Sequence, residues 1–158
     1  MSYKNKKIAQ VIVTQSTTET ASTATTPAID TSIPQNTEGT ALAEYDTTIT
    51  PTNASSTLLI EANVIVNTGA ALWGFLMLFV DSTADALAVA SAYYPTGNQS
   101  WSLIIKYKET ASTILPRTYK LRLGKNSAGT LTTNIYAGVA DSFGTSMIST
   151  MKITEILP

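Results

Sequence analysis

Between Leu58 and Val66 the side chains alternate: Leu58, Ile60, Ala62, Val64 and Val66 fall on one side, and Leu59, Glu61, Asn63 and Ile65 on the other. Successive side chains of an extended chain point to opposite faces, so this pattern specifies a strand with one buried face. The same alternation recurs in Trp101–Tyr107, Tyr119–Leu123 and Met147–Ile156. Turn residues separate these runs, at Pro51-Thr-Asn53, Asn67-Thr-Gly69, Pro95-Thr-Gly-Asn98, Gly124-Lys-Asn126, Gly129 and Phe143-Gly144. No sustained 3.6-residue pattern is present, and Ser82–Ser91 has room for one helical turn at most. Short strands at this spacing predict an all-β fold, an antiparallel sandwich or barrel with a jelly roll foremost.

One run departs from alternation. Leu72-Trp-Gly-Phe-Leu-Met-Leu-Phe-Val80 is apolar on both faces. A lone sandwich buries one face of each sheet, so the second face of this strand needs a cover. Either a loop of the same chain lies over it, or a second subunit does. In the latter case Trp73, Phe75, Met77 and Phe79 form the interface, where aromatic residues and Met are enriched.

The residue types that are missing exclude several chemistries. The 158 residues contain no Cys and no His, which removes disulfides, thiolate nucleophiles, Ser-His-Asp machinery and imidazole or thiolate metal sites. No D-x-D-x-D-G calcium loop is present either, so neither a metal nor a cofactor is expected. With Lys+Arg 10 against Asp+Glu 11 the net charge is -1, without the basic footprint of a nucleic-acid binder. The longest apolar run, Gly69–Val80, is shorter than the roughly twenty residues of a membrane span. The apolar stretch Ile8–Val13, interrupted by Gln10, is too short for a signal-peptide core, so a soluble chain made without export is expected.

Charge and composition divide the chain into two parts. Residues 1–32 form a basic, Ser/Thr-rich extended arm: Lys4, Lys6 and Lys7 precede Ile8-Ala-Gln-Val-Ile-Val13, and residues 14–32 carry almost no large apolar side chain. Such a segment cannot bury enough surface to offset its ordering entropy when alone. Residues 33–158 hold the strands. Within them Lys106, Lys108, Lys120 and Arg122 alternate with apolar residues, as on a solvated strand face.

Three ordered motifs carry a resemblance. Ile33-Pro-Gln-Asn-Thr-Glu-Gly-Thr40 precedes Ile49-Thr-Pro-Thr-Asn-Ala-Ser-Ser-Thr-Leu-Leu-Ile-Glu61, and the chain closes on Ser146-Met-Ile-Ser-Thr-Met-Lys-Ile-Thr-Glu-Ile156. Over about residues 30–157 this resembles a jelly-roll domain of tailed-bacteriophage virion proteins. The resemblance implies a homotrimer on a particle surface, assembled in the host cytoplasm, as capsid cement or as the tip of a tail fibre. Glu38 and Glu155 are then candidates for pairing with basic residues. The chain has no repetitive shaft or coiled-coil heptads, which favours cement. In that role Lys4, Lys6 and Lys7 meet carboxylates of the major capsid protein, and Ile8, Val11 and Val13 add an edge strand to it. Three arms per trimer bind multivalently.

Two other classes compete. Tyr93, Tyr94 and Trp101 flank a turn, and such rings can stack on the sugars of a host surface glycan. A glycosidase needs two carboxylates roughly 5–10 Å apart; Asp81 with Asp85 and Glu44 with Asp46 are the pairs close in sequence. With eleven acids some fall near one another by chance, and Asp81 and Asp85 also read as loop solvation after a buried strand, so no enzymatic activity is expected.

Overall fold

The computed structural model describes residues 7–158. Eleven strands run in the order β1 (Ile8–Ser16), β2 (Ala21–Ser22), β3 (Thr40–Ala41), β4 (Thr47–Ile49), β5 (Thr57–Thr68), β6 (Leu72–Val80), β7 (Ala88–Tyr94), β8 (Gln99–Thr110), β9 (Arg117–Lys125), β10 (Leu131–Thr133) and β11 (Ser149–Ile156), with one 3-10 turn at Ala43–Tyr45. The first sheet has the order β1-β11-β5-β8, and β10 with β2 continues it along the far end of β5. The second has the order β3-β9-β6-β7, with β4 also on β9. All pairings are antiparallel. If β3 and β4 are counted as one broken strand, the eight main strands pair first with last, second with seventh, third with sixth and fourth with fifth. That nesting is a long hairpin rolled on itself, and it makes the fold an antiparallel jelly-roll sandwich.

The alternation in β5 sets the core. Leu58, Ile60, Ala62, Val64 and Val66 are all buried and meet Leu72, Leu76, Leu78 and Val80 of β6 and Leu121 and Leu123 of β9 between the sheets. Ser82–Ser91 holds no helical turn. The chain bends after Val80 and enters β7 at Ala88, where small residues fit a strand that is half-buried against β6.

The arm is tied to the body rather than free. β1 pairs with β11 from Ile8 to Ser16, so Ile8, Val11 and Val13 already belong to an edge strand of their own sheet. Residues 20–26 follow with polar ties. Thr133 N donates to Thr20 O (3.0 Å) and Thr20 N to Thr133 Oγ1 (2.9 Å), Ser22 Oγ donates to Leu123 O (2.8 Å), and Lys125 N donates to Ala24 O (3.2 Å). Hydroxyls and backbone amides, not apolar area, give this segment its partners.

The chain that continues from it, at Thr26, Pro27, Glu38 and Gly39, covers the second face of β6. Phe75, Met77 and Phe79 are buried, and Gly39 lies so close that a Cβ there would sit 2.6 Å from Met77 Cε. Arg122 clamps the crossing chain by donating to Glu38 O and Gly39 O (2.5 and 2.7 Å). The expected interface residues Phe75, Met77 and Phe79 are therefore covered by their own chain; Trp73, 39% exposed, is the one left at the surface.

Lys125 lies under the same segment, 1% exposed, with Nζ donating to Thr23 O (2.6 Å). Desolvation lowers its pKa, and among the described residues no carboxylate lies within ion-pair distance. A buried ammonium without a counter-charge is costly, whereas an apolar side chain of similar length is not. Lys125→Met is expected to leave stability unchanged or raise it by about 1 kcal/mol, because the exposed Thr23 can return its carbonyl to water. Urea unfolding of the two proteins checks this.

Candidate functional site

The outer face of the first sheet is built from the residues that alternate with the core. Its rows, read from the strand register, are Val11–Thr154–Leu59–Lys108, Val13–Lys152–Glu61–Lys106 and Gln15–Thr150–Asn63–Ile104. Val11, Val13, Ile104 and Ile148 are each about half exposed. Among them lies one charged row. Lys152 Nζ sits 2.5 Å from Glu61 Oε2, and this bond, with a further contribution from Lys106, holds the Glu61 carboxyl below its ordinary range. Both partners are well exposed, so the pair adds little stability. A shallow groove of about 290 Å³ follows Asn63, Ile104, Lys106, Thr150 and Lys152.

The same face continues onto the loop before β11. Asn134 N donates to Ile65 O, and Ser100 Oγ bonds Ile135 O and Ala137 N, which seats this loop at the end of β5 and β8. It presents Tyr136, Val139 and Phe143 to solvent, with the two rings 5.6 Å apart. Contiguous exposed apolar surface of this kind marks an interaction site. Sequence reasoning looked for it on β6. Its signal was present in Ile65 and Ile104, apolar residues on the solvent parity of β5 and β8, and in Ile148 just before β11.

The basic arm contributes less to this face than expected. Lys4 and Lys6 lie outside the described residues. Lys7 is exposed at the edge of the sheet, its carbonyl accepting from Leu157 N.

The aromatic candidates separate. Neighbours on a strand face opposite ways, so Tyr93 and Tyr94 cannot share a site. Tyr93 is exposed and packs on Trp73 (5.3 Å between centroids). Tyr94 is wholly buried, packs on Trp101 (5.4 Å), and has its hydroxyl pushed up to about 12 by burial. Tyr94 is therefore a core residue, and the exposed pair at the second sheet is Trp73 with Tyr93.

The carboxylates are engaged in the architecture. Asp81 accepts from Thr118 N (2.8 Å), Asp85 from Gln35 Nε2 (2.9 Å), and Glu44 from Thr20 Oγ1 (2.6 Å). Asp46 and Asp81 border a cleft of about 410 Å³ over Phe79, with Lys120 and Arg122 on its wall. Burial pushes the Asp46 carboxyl up, against the pull of Lys120. Among the described residues neither Glu38 nor Glu155 pairs with a basic side chain. Glu38 accepts from Gln35 N (2.7 Å), within the first motif. Glu155 accepts from Thr52 and Gln10, which joins the second motif to the last.

The family model described as the Pgp3 C-terminal domain matches residues 10–158, nearly the whole sandwich. The chain belongs to this family. No curated protein matches it. Solved structures similar to this Pgp3 C-terminal domain member include Eiger TNF from S. frugiperda (6% identity over 64% of this chain and 59% of that one, TM-score 0.41). They also include the infectious bursal disease virus VP2 subviral particle (10% identity, 96% and 41%, TM-score 0.36) and the Gx strain of that virus (12%, 97% and 40%, TM-score 0.41). The chain thus spans between 40% and 59% of the length of these proteins. The motifs that resembled a phage virion domain led to this architecture, and the family reached is the Pgp3 C-terminal domain rather than a phage-specific one.

Proposed function

We propose that this Pgp3 C-terminal domain member is a non-enzymatic structural module that assembles as a homotrimer through the outer face of the β1-β11-β5-β8 sheet. The observation that carries this reading is the apolar set Val11, Val13, Ile104, Ile148, Tyr136 and Phe143, exposed along one face of a single molecule. Burying such a set between copies removes it from water at roughly 25 cal/mol per Å². At a virion surface the trimer is a capsid cement protein: it binds the major capsid protein and stabilises the shell by contacts present only in the assembled state. Because β1 is an integral edge strand whose Val11 and Val13 lie in the trimer face, the capsid contact falls to the basic residues near Lys7, not to a strand donated to a neighbour.

Sedimentation tests the assembly. The chain is expected at three times 16.8 kDa, and Ile104→Lys, on the exposed face, is expected at 16.8 kDa, still folded by circular dichroism but with a lower thermal midpoint because the contacts between copies no longer stabilise it. A monomer at every concentration overturns the trimer. Gold labelling of intact particles tests the location, with a regular pattern over the head expected for cement.

A second reading is favoured by the exposed Trp73–Tyr93 pair, a platform for a host surface glycan. Under it, Tyr93→Ala abolishes adsorption to host polysaccharide and leaves the fold intact; label confined to a tail tip supports the same reading.

A further inference from the structure

Each open edge of the two sheets except one carries a device against pairing with another chain. β1 is tied across to the second sheet by Gln10 Nε2 donating to Thr50 O, just past β4, and by Thr47 Oγ1 of β4 donating to Thr14 Oγ1 (both 2.8 Å). β2, β3 and β4 are two or three residues long. β8 ends the first sheet and bears Lys106, Lys108 and Glu109. Short strands, charges and covering contacts are the usual protections of an edge. β7 ends the second sheet with none of them. Its seven residues, Ala-Val-Ala-Ser-Ala-Tyr-Tyr, hold no charge and no proline, and they keep an unbroken register with β6. The chain itself closes this edge just upstream, where Ala86 N donates to Pro34 O and Gln35 bridges Asp85. From Ala88 onward, among the described residues, β7 makes backbone bonds to β6 alone.

We propose that β7 pairs antiparallel with β7 of a second copy about a two-fold axis at Ser91. In that register Val89 lies opposite the partner's Tyr93 and Tyr93 opposite the partner's Val89, on the exposed face; Ala90 lies opposite the partner's Ala92. Cross-strand pairs of an aromatic with a β-branched residue are favourable, and the strand brings no like charges together. The self-complementary order of Val89, Ser91 and Tyr93 singles out a second copy as the occupant. An isologous contact of this kind continues the second sheet through both molecules. It is independent of the trimer face, and three such edges per trimer link trimers over a surface.

The absence of native cysteine makes the test direct. Directly opposed residues of antiparallel strands have Cα atoms about 4.5–5.5 Å apart, within reach of a disulfide. Ser91 is exposed, so Ser91→Cys is expected to fold normally and, on oxidation of the paired thiols by diamide, to run on a denaturing gel mainly at twice 16.8 kDa. Val89→Cys, equally exposed, is the control. In the proposed register its partner copy lies four residues along, roughly 13 Å away at 3.4 Å per residue, and it is expected to remain at 16.8 kDa. Cross-linking of neither variant, or of both alike, overturns the pairing. The gel reads this contact alone, so it is distinguished from a failure of the trimer, which sedimentation reads.

Discussion

Glu155→Gln is expected to cost on the order of 2–3 kcal/mol at pH 7 and to remove much of the acid sensitivity of the fold. Glu155 is fully buried on β11. Its Oε2 accepts from Gln10 Nε2 (2.7 Å), and its Oε1 accepts from Thr52 N (2.9 Å), Thr52 Oγ1 (2.8 Å) and Asn53 N (3.3 Å). Burial works to raise its pKa, but Gln10, the nearby Ser56 hydroxyl and Thr52 together outweigh that and bring it down to about 2 from an ordinary 4.5. The folded form therefore binds this proton more weakly than the unfolded chain. The stabilisation is complete above about pH 5 and is lost as pH falls from about 4.5 towards 2, more than half of it gone by pH 3. A glutamine keeps one acceptor oxygen and turns an NH₂ towards groups that themselves donate, leaving donors without partners. Urea unfolding of both proteins at pH 7 and pH 3 checks the sign: the gap between them should narrow at pH 3. An equal gap at both pH values would place the effect in packing. Because Gln10 lies on β1 and Thr52 in the turn before β5, the substitution is also expected to speed amide exchange in β1 ahead of β5.

The extent to which the sequence foretold this depends on the range of the contact. The parity of Leu58–Val66 is local, and every inward residue it named is buried. The double-sided apolar run Leu72–Val80 correctly demanded a cover, yet what covers it is Ser/Thr-rich chain held by backbone amides, hydroxyls and the Arg122 clamp, which leaves no hydrophobic pattern to read. β7 escaped notice because alanine favours helix over strand and its small side chains leave little apolar alternation to read. Tyr94 was a misreading that strand parity could have caught, since one of two adjacent tyrosines on an edge strand must face inward. The meeting of Thr52 with Glu155 spans 103 residues, and nothing in either motif states the distance between them. The exposed apolar face lay in plain view in Ile65, Ile104 and Ile148, but only the strand order shows that β5, β8 and the residue leading into β11 place them together.

Gly124→Ala is expected to be the most disruptive single-methyl change, costing about 2–4 kcal/mol, at or above the upper end of ordinary overpacking. Gly124 lies on β9 opposite Phe75, directly beneath the crossing segment. A Cβ there would stand 2.0 Å from Thr26 O and 3.1 Å from Pro27 Cδ. The obstacle is backbone, and it is fixed on both sides by Lys125 N on Ala24 O and by Gly39 N on Thr26 Oγ1 (2.9 Å), so it cannot yield without breaking those bonds. Gly144→Ala serves as the comparison. Nothing lies within 4 Å of its Cβ, and its cost is limited to the strain of an alanine at φ +63°, about 1 kcal/mol. Limited proteolysis with a broad-specificity protease separates the two effects: the Gly124 variant should be cut faster than the parent around Ala24–Pro27, where the parent chain is seated on β9, and the Gly144 variant at the parent's rate. The consequence reaches function, because lifting the segment uncovers Phe75 and Met77, the face first expected to meet another subunit. The parent hides those residues and shows Ile104 and Ile148 instead, so the covering segment decides which sheet is free to meet another copy. A Gly124→Ala protein as stable and protease-resistant as the parent would show that the segment is not seated on Gly124, and the second sheet would become the better candidate for self-association.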